Sequence, residues 1–210
     1  MRVLVACEFS GTVRESFAAR GHDAVSCDLL PTERPGQHIQ GDVLAVLADG
    51  WDMMIAHPPC TYLALSGLHW NNRIPGRREK HDAALAFVRA LLDAPIPRIA
   101  LENPVGAISR HIRRPDQMIQ PWQFGHDASK LTCLWLKGLP RLVPTRIVEP
   151  PARQSNGSPR YSNQTASGQN KLGPSPDRWK LRSLTYPGIA DAMAEQWGGK
   201  LDGPLFNQEG

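Results

Sequence analysis

Residues 51–60 read WDMMIAHPPC, and the whole chain can be parsed outward from them. The run 51–56 is short and apolar, which predicts a buried strand. Pro58 and Pro59 end it, because proline gives no N–H to a ladder. Cys60 therefore stands on the loop that leaves a strand. A thiol there is exposed enough to react, whereas a structural cysteine usually sits inside an element.

The flanking sequence repeats the theme. Residues 2–7 (RVLVAC) and 24–28 (AVSCD) read as strands. Between them, 12–20 reads as a helix, with Val13 and Phe17 one turn apart and Gly21 at the stop position. Residues 79–94 space Ala84, Leu85, Val88, Leu91 and Leu92 as an amphipathic helix that Pro95 ends. Residues 98–101 (RIAL) and 131–136 (LTCLWL) are further strands, and 187–197 is a helix with Pro187 in its first turn. Strands alternating with helices predict an α/β fold: a doubly wound, mostly parallel sheet. Ligands of such sheets bind outside the carboxyl ends of the strands. That rule selects Glu8–Gly11, Asp28, Asp42, His57–Cys60 and Glu102-Asn103.

Composition narrows the classes. The 210 residues carry a formal charge of +4, compatible with a nucleic-acid partner without requiring one. The four cysteines include no CxxC pair, which argues against a zinc ribbon or dithiol site, and no metal is expected. No apolar run has bilayer length, and the first residues lack a signal-peptide pattern, so a soluble cytoplasmic protein is expected. Residues 151–176 are rich in Ser, Asn, Gln, Gly and Pro and contain no acid. They read as a long loop, mobile unless something binds it.

A thiolate and a carboxylic acid sharing one crevice suit covalent attack on an electron-poor ring. Cys60 and Glu102, 42 positions apart, have that potential, because neighbouring parallel strands end side by side. Taken singly, each also reads as an ordinary strand-end residue.

With these motifs the chain resembles the cytosine-C5 DNA methyltransferase family, specifically its short phage or prophage members. The nucleophile motif stands as IAHPPCT (55–61) and the acid motif as Glu102-Asn103-Pro104. The resemblance implies a Rossmann-like methyltransferase fold that uses S-adenosylmethionine. Cys60 would be the nucleophile and Glu102 its acid partner, with Asn103 and Lys130 shaping the base pocket. Glu8, Phe9, Ser10, Gly11, Asp28, Asp42, Pro58 and Thr185 would hold the cofactor. The helix starting near Thr12 would point its amides at the cofactor carboxylate. One domain is expected from 1–138 and 182–198, with 139–181 a polar basic loop region and 199–210 a tail.

The chain departs from the family pattern at several positions. Thr61 stands for the usual Gln, His57 for a small residue, Pro104 for Val and Val13 for a glycine. The arginines of a Gln-x-Arg-x-Arg motif give way to Asp127–Lys130. About 40 residues replace a target-recognition domain. Double-stranded DNA with a short or degenerate site is the expected partner, and a protein partner could supply specificity. A free pyrimidine nucleotide or modified base is an alternative substrate, and a non-catalytic DNA-binding or anti-restriction protein an alternative role. Amino-group methylation fits poorly, since His57 and Cys60 stand at its diagnostic positions. The DNA contacts expected are Trp70, Arg73, Arg77 and Arg78 on the loop after the nucleophile, and Arg178 and Arg182 farther on.

Overall fold

The computed structural model describes residues 1–199. Its elements in order are β1 (Arg2–Ala6), α1 (Thr12–Ala18), β2 (Asp23–Asp28), β3 (His38–Gln40), β4 (Met53–Ala56), α2 (Leu65–Leu68), α3 (Arg77–Leu92), β5 (Arg98–Asn103), α4 (Ala107–His111), β6 (Gln117–Ile119), β7 (Thr132–Lys137), β8 (Ala152–Arg153), β9 (Pro159–Arg160), α5 (Arg178–Ser183) and α6 (Pro187–Gly198). Seven strands form one sheet in the order β3-β2-β1-β4-β5-β7-β6. The strands from β3 to β5 are parallel, and β7 runs antiparallel to both of its neighbours. This is the doubly wound Rossmann-like architecture expected from the sequence.

Strand periodicity explains how both faces are filled. Successive side chains point to opposite faces. Leu4, Ala6, Met54, Ala56, Ile99 and Leu101 enter one apolar cluster with Leu85, Val88 and Leu91 of α3. Val3, Val5, Met53, Ile55 and Ala100 enter the other with Val13 and Phe17 of α1 and Ile189, Met193 and Trp197 of α6. Burial on both faces is why these strands read as continuous apolar runs.

The register positions the site. Ala6 pairs with both Cys27 and Ala56, and Ala56 pairs with Leu101. The carboxyl ends of β2, β1, β4 and β5 are thus level, and the order of strands reverses between β1 and β4. Open α/β sheets place their ligand crevice at such a switch point.

Several boundaries differ from expectation. The strand expected at 98–101 continues through Glu102 and Asn103, which pair with Leu134 and Cys133 of the reversed strand β7. The segment 151–176 is not a free loop. It contains the β8–β9 hairpin and docks on the 120–130 segment. Asn163 bonds the backbone N–H and C=O of Ser129, both at 2.9 Å, and Trp122 stacks on Tyr161 at 6.0 Å. Helix α5 crosses the expected boundary between the basic region and the closing motif at 181/182. The expected tail lies outside the described residues from position 200 onward. No helix among the described residues is long and apolar enough to cross a membrane.

His22, between α1 and β2, is only 5% exposed, and neither ring nitrogen has a hydrogen-bond partner. Burial first, then the N-terminal amine and Arg98, hold it below its ordinary value of 6.5. The unfolded chain binds that proton more readily, so stability is full above about pH 6.5 and is lost as pH falls below it. Urea unfolding between pH 8 and pH 5 is expected to show that loss, and His22→Leu to reduce it. An unchanged pH slope in the variant would exclude His22 as its source.

Candidate active site

Three strand ends build the centre of the crevice. His57 follows β4, and its backbone N–H donates to the Ala6 carbonyl at 2.9 Å, extending the β1–β4 ladder by one residue. Glu102 lies one position past Leu101 on β5, so it stands beside His57. The imidazole Nδ1 donates to Glu102 Oε2 at 3.0 Å, and both side chains are 12% exposed. Next to them, Asn103 Nδ2 donates to the Pro58 carbonyl at 2.7 Å. The Asn103 Oδ1 and His57 Nε2 atoms are buried without partners.

Cys60 follows this clamp on an exposed turn, where its carbonyl accepts from the N–H groups of Leu63 and Ala64 at 3.0 and 2.9 Å. The turn is docked from the other side. Leu65 N–H donates to the Val105 carbonyl and Ala107 N–H to the Leu63 carbonyl. This close approach requires Gly106, since a Cβ there would run into the Leu63 carbonyl. The other three cysteines are at least half-buried. Burial raises each of their thiols, Cys27 to about 11, with nearby carboxylates adding to the effect at Cys7 and Cys27.

The charge state of the central pair follows from its neighbours. Burial opposes ionisation of Glu102, but the hydrogen bond and charge of His57 overcome it, and Lys130 and Thr185 act in the same direction. The carboxyl is therefore held below its ordinary range. Burial likewise opposes the imidazolium of His57, and Glu102, then Glu8, outweigh it, so His57 sits above its ordinary value. Lys130 reaches across to the Leu184 carbonyl at 3.0 Å, next to the buried Thr185.

The expected cofactor side needs one correction. Helix α1 does not leave its amides free for a ligand carboxylate. Glu8 takes them instead, accepting from Val13 N–H at 2.6 Å and Arg14 N–H at 3.2 Å, while Ser10 Oγ donates to the same carboxylate at 3.2 Å. Glu8 and Ser10 thus close the helix end. Gly11 supplies the left-handed turn before α1, at φ 73°. Asp28 and Asp42 each accept a backbone N–H with Oδ1 alone, from Leu30 at 2.9 Å and Leu44 at 3.0 Å. Beside Asp28, Leu29 is 73% exposed, an apolar surface next to a carboxylate. A ribose and a flat base fit that chemistry. Phe9 is buried under α5, where Trp179 tilts against it at 5.9 Å and Lys180 pairs with Glu33.

Sequence reasoning missed His57 as a partner of Glu102, and it missed Arg14. Arg14 is 1% exposed and donates to Ser26 Oγ, Thr32 Oγ1 and the carbonyls of Arg34, Pro35 and Gln37. It pins the 29–37 loop beside the crevice. An arginine on the inward face of a helix one turn after a glycine was the available signal.

The expected nucleic-acid contacts divide. Trp70 and Arg73 are exposed together, with the guanidinium 5.8 Å above the indole ring. Arg78 is exposed near Asn72. Arg77 is a correction: it turns inward, donating to the carbonyls of Thr61 and Gly67 at 3.1 and 3.4 Å and lying over Tyr62. It braces the Cys60 turn. On α5, Arg182 is exposed and Arg178 half-buried.

No protein-family model matches the chain, and no curated protein matches it. It is similar to a solved structure described as a candidate DNA modification methyltransferase encoded within a prophage (E. coli). The identity is 15% and the TM-score 0.48, over 70% of this chain and 52% of that one. The chain spans about half the length of that protein.

Two variants test the construction. Gly106→Ala is expected to cost about 1–3 kcal/mol by overpacking and to open the 60–76 segment to limited proteolysis. Arg14→Met is expected to cost about 3 kcal/mol, the scale of one or two buried acceptors left unpaired. In that variant the 29–37 amides should also lose hydrogen-exchange protection. Unchanged urea midpoints would refute both assignments.

Proposed function

We propose that the chain is an S-adenosylmethionine-dependent methyltransferase that methylates C5 of cytosine in DNA through a covalent adduct at Cys60. The observation that carries this reading is the clamp between strand ends, in which Asn103 bonds the Pro58 carbonyl at 2.7 Å. It ties the turn bearing the exposed thiol to the strand that carries Glu102. Asp28, Asp42, Gly11 and the exposed Leu29 support a nucleoside-bearing cofactor at the neighbouring strand ends. The cofactor, when bound, supplies an electrophilic methyl group.

In this mechanism a cytosine leaves the duplex stack and enters the crevice. Cys60 Sγ adds to C6, and the C5=C6 and C4=N3 electron pairs shift toward C5 and N3. Glu102 delivers a proton to N3, which absorbs the developing charge. Asn103 Oδ1, buried and unpartnered, is an acceptor available to the exocyclic amine. Lys130 offers a cation to the pyrimidine O2 as a point charge, without the planar fork of an arginine. After transfer a base removes the C5 proton and Cys60 departs. Trp70, Arg73 and Arg78 are exposed on the segment that follows the nucleophile turn, and in this reading they meet phosphates and the gap left by the base.

The test is trapping on DNA carrying 5-fluorocytosine, with S-adenosylmethionine present. Fluorine at C5 blocks the final elimination, so a cofactor-dependent adduct mapping to Cys60 is expected on a denaturing gel and in peptide mass spectra. Cys60→Ser is expected to give none, because a serine hydroxyl is not ionised near neutral pH. Adducts with free pyrimidine nucleotide alone would move the substrate from DNA to nucleotide. No adduct of either kind, with cofactor binding demonstrated, would leave a non-catalytic role.

A further inference from the structure

The proposed reaction needs a proton at N3, yet Glu102 is held as a carboxylate by its surroundings. The missing proton has one evident store. His57 Nδ1 lies 3.0 Å from Glu102 Oε2, the imidazole has no other hydrogen-bond partner, and Nε2 is buried and bare. Three groups face this pair: Glu8 from the turn after β1, Lys130 from the segment before β7, and Thr185 from the segment before α6.

We infer that His57 is a positioning residue that stores the proton Glu102 delivers to the substrate ring nitrogen. This rests on the C5 reading above. The pair shares a single proton. While the site is empty it lies on His57, and Glu102 is anionic. When the Cys60 Sγ–C6 bond forms, an electron pair arrives at N3. Glu102 takes the Nδ1 proton and passes it to N3, so the carboxylate ends as it began and the imidazole is left neutral. The reverse transfers restore the pair when N3 loses its proton. Nε2 has no acceptor, so Glu102 is the hydrogen-bond partner that holds the imidazolium, with the charge of Glu8 adding to that hold. The residue that departs most visibly from the family's small residue before Pro-Pro thereby gains a task.

The experiment has two arms. In the first, histidine-labelled protein is titrated by NMR, with His57 assigned by its loss in His57→Gln. His57 is expected to titrate above 6.5, and to drop on Glu102→Gln. Titration at or below 6.5 in the wild type would overturn the inference without any substrate. In the second, adduct formation on 5-fluorocytosine DNA is followed against pH. The wild-type rate should hold until pH passes the His57 transition. His57→Gln keeps a donor to Glu102 but stores no titratable proton, so its alkaline limb should move to lower pH. The variant should then lose about tenfold in rate for each pH unit above the new limb. A merely structural role would instead lower the rate equally at every pH, and that result, or an unchanged profile, would overturn the role of His57 alone. No wild-type adduct at all would remove the C5 reading and this role together.

Discussion

Two successive prolines leave positions 58 and 59 without backbone donors, so the turn that carries Cys60 cannot be held by a ladder of its own. Its fixed acceptor is the Pro58 carbonyl, and the donor that meets it, Asn103 Nδ2, comes from the adjacent strand. That bond exists only because β4 and β5 are parallel and in register at Ala56 and Leu101. The rest of the site depends on the same register. It sets His57 opposite Glu102, and it brings the residues after β5 close enough for Gly106 to dock the far side of the turn. A one-residue slip would send the Glu102 and Asn103 side chains to the opposite faces.

Much of this was legible in the sequence. The buried strands were readable because both faces of a parallel sheet are covered, which makes 3–6, 53–56 and 99–101 continuous apolar runs. Pro95, Gly21 and Pro187 marked helix ends that the fold respects to within a few residues. What escaped detection is short or non-periodic. β3 and β6 have three residues each, too few to show alternation, and α4 has five. The reversed direction of β7 cannot be read from its own residues, since an apolar run has no polarity.

The site was legible in its membership and less so in its roles. Glu8 was taken as a ligand contact. Its carboxylate closes α1, a use that depends on a turn geometry the sequence does not display. Arg77 belongs to a run that reads as a solvated basic face, but its guanidinium finds the carbonyls of Thr61 in the Cys60 turn and of Gly67 in α2. His57 looked like a departure from a motif, and only the parallel pairing shows it meeting an acid 45 positions away. Residues 151–176 read as mobile from composition, because polar residues that solvate a free loop are the same residues that bond a docked one. Asn163 and Ser162 spend their polar groups on Ser129 and Asp127, not on water.

The balance of charge around the crevice gives these roles a common logic. Glu8 and Glu102 are buried carboxylates, and a buried carboxylate remains ionised only where donors or cations offset its lost hydration. Glu8 is satisfied by the amides of α1, whose positive end suits it. Glu102 has no helix end to meet and relies on His57, Lys130 and Thr185. These supports differ in kind. Amides do not exchange protons with the carboxylate they hold, so the partners of Glu8 are fixed, whereas an imidazole can surrender its proton. Of the two carboxylates, the one placed beside a titratable donor is on the strand that is tied to the thiol turn. That asymmetry separates a group that builds the crevice from a group able to take part in proton transfer within it.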